Sequence, residues 1–214
     1  MTTIVGRDCK IEVALTFDTP LTVSAVTLAS PGEATSTAHG LTDGEAGYFS
    51  VSAGMVELDE QAVIVDNVAT DTFELAGLAT TTYSTWSAGT FTAAATWGTV
   101  SEASGYTVGG GASSPLDDTR LTDVKTRNVA GLLASQDVTI TVRNPVTSGA
   151  ALALIEAAAR TSTACLFKIT KGTDVLRVFY GVPSLAGETV SSGQLGSGEF
   201  NVLCGAWVLK PNIA

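Results

Sequence analysis

Only one stretch of this 214-residue chain, SGAALALIEAAAR at 148–160, carries apolar side chains at helical spacing. Nearly everything else comes as short apolar or alternating runs cut by Gly, Pro, Ser, Thr and Asp. A helical bundle or a doubly wound α/β sheet needs many helical segments, so this punctuation excludes both. KIEVALTF, 10–17, sets Ile11, Val13, Leu15 and Phe17 against Lys10, Glu12, Ala14 and Thr16, the pattern of a half-buried strand. DVTITVRNP, 137–145, is the clearest case, with Val138, Ile140 and Val142 on one face and Asp137, Thr139, Thr141 and Arg143 on the other. Further strands are predicted over 164–170, 174–181 and 198–210, with KGT as a tight turn between the first two. The helix is expected to start at Ser148 as N-cap, to set Leu152, Ile155 and Ala159 on one face, and to pair Glu156 with Arg160. The expected architecture is mainly β (α+β), a sandwich or barrel-forming sheet with one packed helix.

Charge divides the chain. Residues 21–94 hold nine acids (Glu33, Asp43, Glu45, Glu57, Asp59, Glu60, Asp66, Asp71, Glu74) and no Lys or Arg, whereas 95–214 hold nine acids and nine bases. The step predicts an inserted acidic β-module, 21–94, within a domain made of 1–20 and 95–214. The module's runs TVSAVTLA, GYFSV, QAVIVDNVA and DTFELAGL are short and regularly spaced, as in a small barrel or sandwich. GGGASSP, 109–115, has the composition of a flexible loop. A net charge of −10 argues against ordinary nucleic-acid binding, which needs basic patches to neutralise phosphate. Three cysteines without C-x-x-C spacing give neither a zinc site nor a disulfide framework, and no run reaches membrane-spanning length. A soluble chain made in a reducing cytoplasm is expected.

The segment TAHGLTDGEAGYFSVSAGMVELDEQ, 37–61, holds the sole histidine, His39, and five carboxylates, so catalysis and metal binding need weighing. A Ser-His-Asp triad would have to use His39, and no G-x-S-x-G elbow exists. DGEAGYFSVSAG lacks the ligand spacing of a calcium loop, and neither GYTVGGG nor GQLGSGEF opens a helix as a phosphate cradle must. Carboxylates for glycoside hydrolysis can converge from anywhere in a sequence, so that class stays open. Tyr48, Tyr83, Trp86, Trp97 and Trp207 fit either sugar stacking or ordinary core packing. No catalytic, metal or cofactor residue is assigned, and none of these chemistries is expected.

One ordered set of segments does carry a likeness. LDDTRLTDVKTRNVAGLLASQDVTITV leads to AALALIEAAA, then to LFKITKGTDVLRVFYGVPSLAGE, and ends in GQLGSGEFNVLCGAWVLKP. This order resembles the tail tube (major tail) proteins of long, flexible-tailed bacteriophages, over 1–20 and 95–214. HGLTDGE, GMVELDEQAVIV and TDTFELAGLATTTYSTW look like the small β-modules inserted into phage tail proteins. The resemblance implies a structural, non-enzymatic virion protein, assembled in the host cytoplasm, whose hexameric rings stack into the tube that viral DNA crosses. Its partners would be other copies of itself, tail tip and tail terminator proteins, and a tape measure protein inside the tube. It implies that Asp137, Thr139, Thr141 and Arg143 face the channel, that Asp117, Asp118, Arg120, Lys125 and Arg127 touch the next ring, and that the module lies outside and can be removed without loss of assembly. Rival readings are a sugar-binding adhesin, a carboxylate hydrolase, and a terminator or neck protein forming single rings.

Overall fold

The computed structural model describes residues 9–120, 124–143, 149–184, 187–189 and 196–211. Strands β1 (Cys9–Phe17), β2 (Leu21–Val23), β3 (Ala25–Val26), β4 (Glu33–Thr35) and β5 (Ala46–Ala53) come first. A single 3-10 turn, Val56–Leu58, then precedes β6 (Ala62–Asp66), β7 (Thr72–Leu75) and β8 (Ala88–Thr99). After these come β9 (Ala103–Gly109), β10 (Ser113–Asp117), β11 (Asn128–Leu133) and β12 (Asp137–Arg143). Helix α1 (Ala150–Thr161) leads to β13 (Cys165–Lys171), β14 (Asp174–Pro183), β15 (Gly187–Thr189) and β16 (Ser197–Cys204). The protein is mainly β with one packed helix, as the punctuation of the sequence requires.

One long antiparallel sheet runs β3-β4-β7-β6-β5-β8-β1-β13-β14-β16-β12-β9, with β2 and β15 paired at its sides. The pleat of the half β8-β1-β13-β14-β16-β12-β9 puts Ile11, Val13, Phe167, Ile169, Phe179, Phe200, Val202, Val138, Ile140 and Val142 on one face. Ala151, Leu152, Ile155 and Ala158 of α1 close this core. The filled face is concave. Cys9–Ile11 of β1 and Ala103–Tyr106 of β9, far apart in strand order, line one cleft of about 440 Å³. Sheet twist bends the run back on itself in this way.

A second core fills the acidic module: Phe49, Phe73, Phe91, Trp86, Met55, Leu58 and the whole of Ala62–Val65. It does not stop at the charge step. Ala14, Leu166, Val178 and Leu209 belong to the same cluster, and Tyr48 stacks on Tyr180 at 4.1 Å. The strand β8 explains this continuity. Its first half pairs β2 and β5 in the module, its second half pairs β1, and the step at 94/95 falls between them with no break in the strand.

Three local expectations need correcting. The run 198–210 is not one strand: β16 ends at Cys204, and Gly205 beyond it lies against the Glu60 carboxylate. The chain turns there, and Leu209 bridges Val178 instead. Within 109–115, Gly109 ends β9, Gly110 and Gly111 turn the chain at positive φ, and Ser113 already begins β10. Glu156 and Arg160 are absent from the ion pairs of the described residues, which include Lys168–Glu12 at 3.5 Å and Arg127–Asp118 at 3.8 Å. Ser148, the expected N-cap, lies outside the described residues. Gly149 holds that place and donates its N–H to Glu102 Oε1 at 3.1 Å.

Candidate functional site

Two features of the helix-bearing half stand out by position: a polar wall and a projecting arm. The wall follows from the alternation of β12. With Val138, Ile140 and Val142 buried in the concave core, Asp137, Thr139, Thr141 and Arg143 must point to the convex side. Register places Leu203, Asn201, Glu199 and Ser197 of β16 opposite them, and Gly109, Thr107 and Gly105 of β9 opposite the first three. Thr139 Oγ1 donates to Asn201 Oδ1 at 2.6 Å, and Thr141 Oγ1 lies 3.5 Å from Glu199 Oε1. The surface is mostly short hydroxyl and amide groups, with two carboxylates and one guanidinium. Such a wall offers many weak hydrogen bonds and little to grip a polyanion.

The module and the wall occupy different parts of the same sheet face. Val178, Tyr180 and Val182 alternate onto that face, and Val182 sits opposite Leu203. The module covers β1, β13 and β14, whereas the wall lies over β16, β12 and β9.

β9 is the last strand of the sheet, and it leads through Gly109–Gly111 into the arm, β10 paired with β11 as a separate two-stranded ribbon. Leu116 and Val129 are directly opposite in register, and more than half of Leu116 and half of Val129 remain exposed. Asp117, Asp118, Arg120, Lys125 and Arg127 are all exposed toward the arm's far end. The fold brings three of these together. Asp118 N–H donates to Arg127 O at 2.8 Å, the two side chains form the 3.8 Å ion pair, and Arg127 N–H donates to Thr119 Oγ1 at 3.0 Å. Asp117 Oδ1 accepts from the hydroxyl and the N–H of Thr119, which holds its carboxyl below the usual range. The charges were legible in the sequence, but the apolar pair that flanks them was not expected. Its signal was present as SSPLD and NVAGLL flanking the charged run.

The residues weighed for catalysis have structural tasks. His39 is buried; its Nδ1 accepts from Leu41 N–H at 3.1 Å, its Nε2 donates to Thr72 O at 3.3 Å, and its ring meets Phe73 edge-on. Asp43 accepts from Val68 N–H, Asp59 from Val51 N–H, Glu45 from the Thr42 hydroxyl, and Glu57 from both N–H and hydroxyl of Ser84. These bonds lock turns. Hydrogen bonds, one from its own backbone and others from Ser84, lower the Glu57 pKa. Trp86 is core with its indole N–H on Val23 O, Trp97 lies under the Lys168 ammonium, and Tyr48 is stacked on Tyr180. Of the five aromatics weighed for sugar stacking, Trp207 alone is strongly exposed, at 46%. Burial pushes the Cys165 thiol up to about 11 and, with Asp137 nearby, the Cys204 thiol up to about 12.

Comparison of the chain with models of protein families finds no match, and comparison with curated proteins finds none either.

Proposed function

We propose that this chain is a structural, non-enzymatic subunit that assembles with copies of itself into stacked rings, as the tail tube protein of a long-tailed bacteriophage. The observation that carries the reading is an end strand, β9, followed by a separate two-stranded ribbon whose described residues 113–120 and 124–130 are all exposed. A two-stranded ribbon is marginally stable alone in water, and an open sheet edge invites pairing with another chain. Both features ask for neighbours. In a ring closed through these edges, the wall of Thr107, Thr139, Thr141 and Asn201 lines the channel, α1 lies on the other face of that sheet, and the acidic module sits outside. DNA then passes a nearly neutral hydroxyl surface that does not hold phosphate. Tail tip, terminator and tape measure proteins are the partners of such a tube, and the virion is its place.

Negative-stain electron microscopy of the concentrated protein tests this. Hollow tubes with a regular axial repeat and outer knobs are expected, and compact particles that never stack, even with tail tips as seeds, would overturn it. Arg120→Glu and Arg127→Glu are expected to block stacking while leaving the subunit folded; tubes of normal length from both variants would remove the arm's charges from the contact.

A further inference from the structure

Gln61 is wholly buried, yet its carboxamide leaves its own module. Nε2 donates to Ala62 O at 2.7 Å and to Trp207 O at 3.0 Å, while Oε1 accepts from Trp207 N–H at 3.2 Å. One side chain therefore bonds both polar groups of a single peptide residue in the other half, as a strand partner would. The next residue is held from the opposite quarter: Val208 N–H donates to Gln136 Oε1 at 2.8 Å, and Gln136 O accepts from Cys204 N–H at 3.2 Å. The strap 205–209 is anchored at its end by the Val178–Leu209 bridge, 3.0 Å in each direction.

Gln136 stands at the root of the arm. The two chains of the arm cross where Gly110 lies against Ser135 O, too close for any side chain, and Gly110 and Gly111 have φ of +80° and +77°. The Trp207 ring lies beside Gly111, 3.7 Å from where its Cβ would stand. Below the crossing is a cavity of about 280 Å³ lined by Ser135, Gln136, Gly205 and Trp207 among others. The arm's root is thus held by directed hydrogen bonds around open space, not by close packing.

We propose that the strap 205–209 couples the acidic module to the arm: docking of the module through Gln61 sets the angle at which the arm leaves the sheet. Gln61 and Gln136 are the positioning residues. The module is then a brace for the arm, whatever the arm engages, and the inference stands apart from the tail-tube reading.

Spin labels at Val56→Cys on the module and Val124→Cys on the arm, in a Cys9→Ser background of the full chain, report that angle as a distance distribution. Both positions are exposed, and Cys165 and Cys204 are buried away from the label. A narrow distribution that broadens markedly with Gln61→Ala, while amides of β6 keep their protection, is expected; an unchanged width overturns the proposal. If Gln61→Ala unfolds the module, Gln136→Ala decides, since it touches the strap from the arm's side. Coupling is reciprocal, so exchange of the Trp207 amide should then accelerate roughly tenfold, and an unaltered rate overturns the proposal.

Discussion

The two cores solve the same problem with different materials. In the acidic module the strands are short and no helix covers them, so large rings supply the volume: Phe49 and Phe73 meet Phe91 at 5.1 and 5.2 Å, and Trp86 lies edge-on to Phe49 at 6.0 Å. In the helix-bearing half, longer strands present aliphatic rows such as Val138, Ile140 and Val142, and α1 covers them with Leu152 and Ile155. The charge step suggests two independent bodies. Packing joins them, since Leu166, Val178 and Leu209 come from one half and fill the core of the other. A boundary in composition marks where solvent-facing chemistry changes, and carries no information about which apolar side chains share a core.

The most direct way to break this comparison is to remove residues 21–94. The resemblance to tail tube proteins implies a removable module, but excision takes the first half of β8 and uncovers Leu166, Val178 and Leu209. At about 1.5–3 kcal/mol for each large apolar side chain returned to water, the loss is expected to unfold or aggregate the remainder. Size-exclusion chromatography with circular dichroism checks this, and a monomeric, folded product would restore the two-body picture. Next in size, Phe91→Ala should cost about 3–5 kcal/mol, because the ring is wholly buried at the centre of the aromatic cluster. Since β8 runs into both halves, calorimetry should show one transition moving as a whole; a second transition left in place would mean the cores melt separately.

Alkali sharpens the contrast from the other side, because both buried thiols belong to the helix-bearing core. Their folded-state pKa values, about 11 for Cys165 and about 12 for Cys204, lie above the ordinary thiol value. Between the ordinary and the raised values the unfolded chain releases protons that the folded chain retains, so stability is full below the ordinary value and falls as pH rises through about 11 to 12. The urea midpoint should drop between neutral and strongly alkaline pH, and less steeply in Cys165→Ala and Cys204→Ala than in the parent. The smallest effect belongs to the module's surface. Glu74 on β7 faces Glu33 on β4 and Asp66 on β6, three carboxylates in one cross-strand row. Glu74→Gln keeps an acceptor for the Asn67 amide and relieves like-charge repulsion, so a gain of roughly 0.2–1 kcal/mol is expected by thermal denaturation.

Much of the local structure was legible. β1, β12 and α1 lie where period-two and helical spacing put them, and the turn after Lys171 is made by Gly172 at φ +61°. What escaped was decided at a distance. β16 ends at Cys204, and the chain beyond it turns so that Leu209 bridges Val178, a partner not adjacent in sequence. The start of the arm looked like a loop because GGGASSP has loop composition, while the pairing of Leu116 with Val129 depends on a partner strand. His39 and its acids looked like chemistry because local sequence shows residue types but not the backbone N–H groups they accept from.

Short-range periodicity and turn residues therefore determined that this protein is mainly β with one helix, since backbone dihedrals and alternation are properties of neighbouring residues. Tertiary structure alone decided that β8 serves two cores, that Gln61 reaches across to Trp207, and that the arm stands clear of the sheet. Those outcomes depend on which surfaces meet when the sheet curls, and burial is a contest among residues far apart in the chain.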